Sequence, residues 1–394
     1  MPFGHAGNPA NRDGLVQTFT FKPFDMPANA AALREQVRAF IRDNMTDGDI
    51  ARRANCWQVN DPDFSRALGK AGLIGLSLPR QYGGHDRSAL ERYIVLEELL
   101  SVGAPVGAHW IADRQTAPLL LRYGTEEQRR RWIPGIAAGE VYGCIGLSEP
   151  NAGSDLASVR SSARRDGDGW VLNGQKIWTT NAHIAHIMIG LFRSEEGSER
   201  NAGLSQFLIP LDTPGITIRP IINLTGEHDF NEVFFDDVKL PADALIGEEG
   251  QGWAQATAEL SLERSGPERY LSSMVLVTEL VRHAAKGGDP AAIALAGRFT
   301  SEAWTLRQMS LAVAGRMAMG EDPALEATIV KDLGNSFEQA VPQLVQQVID
   351  LDLSSDDPLA LLAAQLLQVS PSFSLRGGTR EILRGIVARG LGLR

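Results

Sequence analysis

Cysteine is scarce in this chain. Cys56 and Cys144 are the only two in 394 residues, and no Cys-x-x-Cys pair occurs. That argues against a disulfide scaffold and a thiolate zinc site, and fits a reducing compartment. A block of positive charge is also missing. The 38 basic and 48 acidic residues interleave to a net charge of -10, whereas a nucleic-acid binder would present a basic stripe. Long apolar runs are lacking too. The longest uncharged stretch, 358–375, contains Pro371, three serines and two glutamines, so it does not read as a membrane span. The seven histidines include no His-Glu-x-x-His, and His183 and His186 have no acidic or cysteine neighbours, so no metal is expected. The first residues show no basic segment followed by an apolar run. A soluble, cytoplasmic protein is expected.

What is present organises itself by period. At 43 % hydrophobic, the chain can bury a sizeable core spread over two or three units. Residues 1–28 are rich in Pro, Gly and Asn and read as an irregular arm. From Ala30, apolar residues recur at helical spacing (Leu33, Val37, Phe40, Ile41). Further helices are predicted over 64–71, 90–101, 115–123 and from Thr125, with Pro134 interrupting the last. After Glu140 the character changes. Asp166-Gly-Asp-Gly169 signals a tight turn, and strands are predicted from Trp170 and over 186–192, 205–210, 216–220 and 232–235. Helical periodicity returns over 251–285, 290–318, 322–350, 356–369 and 379–389. The expected fold class is α+β, with an N-terminal helical domain (29–142), a small middle β-barrel or sandwich (143–248) and a C-terminal four-helix-type bundle (249–394).

Two segments carry chemistry. Residues 147–155 read Leu-Ser-Glu-Pro-Asn-Ala-Gly-Ser-Asp, and 172–181 read Leu-Asn-Gly-Gln-Lys-Ile-Trp-Thr-Thr-Asn. In an extended strand Trp178 and Thr180 share a face, setting a planar wall beside a hydrogen-bond donor. That suits a flat heterocycle with polar edges. The Gly153-Ser154-Asp155 turn exposes backbone donors and a hydroxyl, which suits a phosphate or an amide. Asp155 reads as a structural cap of a short helix. Further on, Pro267 cannot donate to the carbonyl of Glu263, so a helix there should kink or widen.

Together these segments resemble the acyl-CoA dehydrogenase family, over about residues 30–394. The resemblance implies FAD as cofactor and α,β-dehydrogenation of an acyl-CoA thioester to the trans-2-enoyl-CoA, with flavin N5 as hydride acceptor. It implies flavin contacts from Ser148 at the pyrimidine edge, Trp178 beside the ring, Thr180 near N5 with Thr179 between them, and Thr379. Ser154 would contact the acyl-CoA. Many members carry the catalytic glutamate before Gly-Thr in a C-terminal loop, but here that loop reads Arg376-Gly377-Gly378-Thr379. A second branch, similar to isovaleryl-CoA and long-chain types, carries it on the first C-terminal helix. Glu263 in Leu262-Glu263-Arg264 matches that position, with Glu268 as competitor. The amide of Gly377 would then donate to the thioester oxygen. Arg264, on the substrate side, would tie down the loop.

The pattern breaks at two places. The Arg-x-x-Phe expected after the first C-terminal helix is missing, since no arginine lies between Arg282 and Arg298. No Gln-x-x-Gly-Gly occurs near Gln347. Both elements normally reach FAD from a neighbouring subunit. The chain is therefore expected to work as a homo- or hetero-oligomer, with an electron-transferring flavoprotein as redox partner. Some bacterial relatives, including ones acting on steroid side chains, divide the site between two chains. If this chain supplies the missing cation itself, Arg298 and Arg307 are the first candidates. The rival readings are an oxygen-using flavoenzyme of the same fold and a subunit that completes a partner's FAD site.

Overall fold

In the computed structural model, the described residues are 19–45, 48, 50–262 and 265–393, with side chains omitted for 258–262. Six helices come first: α1 (Ala30–Asn44), α2 (Ile50–Arg53), α3 (Pro62–Lys70), α4 (Ala89–Ser101), α5 (Ala117–Tyr123) and α6 (Glu126–Ala137). Leu33, Val37 and Phe40 form the buried stripe of α1. Reciprocal caps, Ser88 with Glu91 and Thr125 with Gln128, start α4 and α6 by satisfying their first free N–H groups. Pro134 does not interrupt α6, which runs three residues beyond it. The proline costs one hydrogen bond where the helix is about to end.

Seven strands follow: β1 (Gly143–Gly146), β2 (Ser162–Asp166), β3 (Gly169–Thr180), β4 (Ile187–Arg193), β5 (Leu204–Pro210), β6 (Ile216–Ile221) and β7 (Phe230–Leu240). They form one sheet in the order β1-β4-β2-β3-β7-β6, with β5 on β4. The sequence pattern did not signal β1 or β2. The first is four residues long, and the second is mostly exposed and rich in charge. Inside the sheet, Trp170 and Phe207 meet edge to face at 5.0 Å, and Phe192 meets Phe235 at 5.1 Å.

The C-terminal part holds α7 (Gly252–Leu262), α8 (Met274–Gly287), α9 (Pro290–Ala318), α10 (Ala324–Val348), α11 (Pro358–Val369) and α12 (Arg380–Gly390). The helix predicted over 251–285 is therefore two helices, separated by a 3-10 turn at Pro267–Arg269. The two helical regions share one core, in which Val37, Ile94 and Leu99 pack with Leu276, Phe299, Val341 and Leu366. An extended strap before α1 adds to this union. Thr20 N–H donates to Glu326, and Phe24 fills the space where a side chain at Gly315 would stand. The sheet keeps its own apolar core and meets the N-terminal helices through Leu120, Ile133 and Ile136 against Ile187 and Ile189.

Candidate functional site

The two motif segments are fastened to each other. Ile177 N–H donates to the carbonyl of Ser148 at 2.9 Å. One residue to either side, Lys176 Nζ lies 2.7 Å from Glu149 Oε1, with Lys176 fully buried. The Glu149 carboxylate also accepts the N–H groups of Arg160 (2.8 Å) and Ser161 (2.9 Å). Burial pushes the Lys176 amine down to about 8, against the pull of Glu149. Burial works to raise the Glu149 carboxyl, but Lys176 and the N–H donors outweigh it and hold it below its ordinary value. A fully hydrogen-bonded buried pair of this kind fixes geometry, and removing one partner strands the other. Both residues stood within the quoted motifs, but a buried ion pair leaves no periodic signal.

Trp178 departs from the regular strand. The β3–β7 register shifts between Lys176 and Thr179, and Trp178 adopts φ 58°. A bulge thus interrupts the regular alternation between Lys176 and Thr179, with Trp178 exposed, Thr179 buried and Thr180 half-buried after it. The Trp178 indole is 57 % exposed, with Phe230 edge-on at 6.0 Å. A bulky residue at positive φ costs on the order of 1–3 kcal/mol and persists only where neighbours impose it. Those neighbours are visible. Asn231 Nδ2 donates to Thr179 O at 3.0 Å, Asn181 N–H donates to Asp229 O at 2.9 Å, and Asn181 pairs with Asn60 across to the N-terminal helices. Thr179 is buried, and its hydroxyl has no hydrogen-bond partner among the described residues. Thr180 is half-buried at the end of β3. A projecting indole beside threonines, on a backbone held from behind, fits the edge and face of a flavin.

Ser154 is exposed on the connecting loop, beside Gly153, where a side chain would meet nothing. The Asp155 carboxylate accepts from the Ser158 hydroxyl inside a 3-10 turn and makes no side-chain cap to a backbone N–H.

Glu263 and Arg264 lie outside the described residues. Glu268 is buried and bound to Arg114 at 2.6 Å, with both side chains at most 5 % exposed, which commits it to an internal ion pair. The loop that follows the 3-10 turn at 370–374 passes through Gly377 (φ 63°) and Gly378 (φ 104°). Buried Lys331 of α10 holds it by donating to the carbonyls of Arg376 and, at 2.8 Å, Gly378. Arg376 is clasped between Trp57 and Phe373, 4.4 and 4.3 Å from their ring centres, and reaches Ser272 Oγ at 3.2 Å. Burial lowers its pKa, with the buried Glu338 carboxylate 3.6 Å away opposing that shift. Thr379 is the N-cap of α12, accepting from Ile382 N–H at 3.5 Å. Lys331 was not foreseen, because nothing in the sequence of a mid-helix lysine shows that it meets a loop far along the chain.

Both fallback cations are paired with carboxylates of this chain. Arg307 makes a two-pronged bond to Glu97 of α4 at 2.6 and 3.2 Å. Arg298 pairs with Glu302 one turn on, along an exposed helix face. Among the described residues no cluster of three metal-binding side chains exists, and no helix is long and apolar enough to cross a membrane.

Helices around a sheet, with an indole held out at a strand end, fit the flavoenzymes that oxidise acyl thioesters. Family models for the N-terminal and middle domains of acyl-CoA dehydrogenases match residues 27–140 and 144–238. The chain is 37 % identical over 383 residues to the acyl-CoA dehydrogenase IpdE1 of Mycobacterium tuberculosis, covering 91 % of this chain and 97 % of that one. It is 30 % identical over 348 residues to FadE26 of the same organism, covering 82 % and 86 %. Among solved structures, a Tcur3481-Tcur3483 steroid acyl-CoA dehydrogenase superposes with TM-score 0.83 at 27 % identity, over 94 % of this chain and 98 % of that chain. A chain of the ChsE4-ChsE5 complex of M. tuberculosis superposes with TM-score 0.82 at 28 % identity, over 95 % of this chain and 100 % of that chain. The chain therefore belongs to the acyl-CoA dehydrogenase family. It is a flavoprotein oxidoreductase, with FAD as its cofactor.

Proposed function

We propose that this chain removes the α-proton of a bulky acyl-CoA with Glu263 as base while the β-hydrogen leaves as hydride, giving the trans-2-enoyl-CoA. The observation that carries the reading is the Trp178–Thr180 bulge, strained, projecting and braced from behind by Asn231. Bound FAD supplies the two-electron acceptor that no side chain offers. Trp178 and Thr180 would hold and orient the ring system, with Ser148 at its polar edge and Thr379 from the C-terminal loop, while the fully buried Thr179 side chain supports them from behind rather than touching the ring. Ser154 takes the acyl-CoA. Gly377, left-handed and without a side chain, lets its amide approach the thioester oxygen and stabilise the enolate. Arg264 acts beside Glu263 on the substrate side. Glu268 does not compete as base, because Arg114 occupies it.

The proposal extends to partners. The named steroid dehydrogenase and the ChsE4-ChsE5 pair are two-chain proteins by their designations. In this chain Arg307 is engaged with Glu97, and residues 284–293 offer only Lys286, exposed at the end of α8. A second, related chain bringing the missing arginine would complete the FAD pyrophosphate site, and reducing equivalents would leave to an electron-transferring flavoprotein. Ring-bearing, steroid-like acyl groups are the substrate class this kinship supports.

Glu263→Gln tests the core of the reading. Turnover with acyl-CoA and an artificial electron acceptor should fall by about 10²-fold or more, with FAD content unchanged. Near-normal turnover would remove Glu263 from the mechanism.

A further inference from the structure

His183 and His228 stack face to face, with ring centres 3.8 Å apart and planes inclined by 20°. They meet over one buried amide. Asn231 lies opposite Thr179 in the β3–β7 ladder and is fully buried. Its Nδ2 donates to Thr179 O at 3.0 Å and faces His183 Nδ1 at 3.3 Å, while its Oδ1 meets His228 Nε2 at 2.7 Å.

Valence fixes the protons in this set. A peptide carbonyl only accepts, so the amide nitrogen must face Thr179 and the amide oxygen must face His228. His228 therefore donates from Nε2. The same amide nitrogen faces His183, so His183 Nδ1 must be unprotonated. A proton there would set two donors against each other, and the amide cannot turn over without abandoning Thr179.

We propose that Asn231 is a positioning residue for the flavin wall, and that the His183–His228 stack is an acid-sensitive release acting on it. This rests on the flavin reading of Trp178–Thr180. Charging His183 expels the Asn231 nitrogen from its place and frees the Thr179 carbonyl. The peptide that keeps Trp178 at φ 58° then loses its brace. The charged groups nearest the stack are Lys176, Asp229, which interacts with His228, and Glu227. Lys176, on the same strand, is bound to Glu149. Asp229 is buried and accepts from Asn223 at 2.6 Å, and Glu227 stands in the exposed loop on the His228 side. Loss of water from the covered ring face and the adjacent imidazole hold the His183 pKa below its ordinary 6.5. The sign follows: the neutral ring belongs to the braced state. The brace is complete above the ordinary histidine value and is lost as pH falls through the depressed one.

The test is flavin release from the holoprotein, with its partner chain if one is needed, followed by FAD fluorescence from pH 8 to pH 5. Losing one buried hydrogen bond should weaken retention about tenfold across the acid limb. His183→Gln with His228→Gln can keep both contacts to Asn231 without titrating. It should retain FAD at pH 8 and lose the acid limb. Asn231→Ala should release FAD at both extremes. An acid limb unchanged in the double glutamine variant, or normal retention in Asn231→Ala, overturns the proposal. A second readout needs no flavin: in the 15N-labelled chain, the Trp178 and Thr180 amide shifts should follow the His183 imidazole titration. Amides indifferent to that titration defeat the release mechanism. Absence of FAD binding at every pH would instead defeat the flavin reading and leave this measurement to decide the brace.

Discussion

The β side and the C-terminal side of the site are built on different principles. On the β side, the supports lie mainly within one sheet and its loop: a buried Lys176–Glu149 pair, the Ile177–Ser148 bond and the Asn231–Thr179 bond, with Asn181–Asn60 as a tie to the N-terminal helices. On the C-terminal side, the glycine loop is held by residues far along the chain, Lys331 and Glu338 of α10 and Trp57 of the N-terminal region. On the proposed reading, the β side presents the flavin wall from its own sheet. The C-terminal side depends on the union of both helical regions in one core, and Arg298 and Arg307 are paired within the chain. The difference sets out the division of labour that the proposed function implies: ring site and base in this chain, and the grip on the cofactor's phosphates from a second one.

The largest effect should come from striking the β side at its pin. Lys176→Met leaves the Glu149 carboxylate buried beside two N–H donors but without its cation. The cost should be about 3–5 kcal/mol of stability, read as a drop in denaturation midpoint, with loss of FAD. The double change Lys176→Met with Glu149→Gln should recover part of the stability. If the single variant is as stable as the parent, the two motif segments are not held by this pair.

Trp178→Ala comes next and probes the wall without touching the pin. The indole is largely exposed, so folding stability should change by about 1 kcal/mol or less. Flavin absorbance and stoichiometry should change clearly, because a large aromatic face is lost. The opposite outcome, an unfolded variant or an unaltered flavin spectrum, would make Trp178 a packing residue and erase the contrast between wall and pin.

These contrasts bear on how much could be read from sequence. The helix–sheet–helix order was legible because the hydrophobic period changes near residues 140 and 250. The Trp178–Thr180 segment stood out in the sequence because its residues are contiguous. The bulge at Trp178 was not, since positive φ on a tryptophan is imposed by Asn231 and Asp229 more than 45 residues away in sequence. The break between α7 and α8 was foreseen only as a kink or widening near Glu263, whereas none of residues 265–273 is α-helical. The ties of Arg114 to Glu268 and of Lys331 to the glycine loop join helices by tertiary contact alone, for which the sequence carries no pattern.

A smaller effect tests the C-terminal loop. Gly377→Glu places a side chain at φ 63°, where a non-glycine residue pays roughly 1–2 kcal/mol. Moving the base, by combining Glu263→Gly with Gly377→Glu, should therefore restore only a fraction of the turnover lost in Glu263→Gly, with a lowered melting temperature. Full restoration at unchanged stability would show that the loop adopts an ordinary backbone conformation in the working enzyme.

The smallest effect expected is also the sharpest test of delegation. Arg298 and Glu302 form a pair one helical turn apart with both side chains well exposed, at 55 % and 38 %. Exposed pairs of this kind contribute about 0–1 kcal/mol. If the phosphate grip comes from a partner chain, Arg298→Ala should leave both melting temperature and FAD titration of the isolated chain essentially where they were, and that titration should already be weak or substoichiometric. Suppose instead that the isolated chain binds one FAD tightly and Arg298→Ala lowers that affinity. Arg298 would then leave Glu302 to meet the pyrophosphate in a homo-oligomer. The C-terminal side would be as self-sufficient as the β side, and the two-chain arrangement would fall.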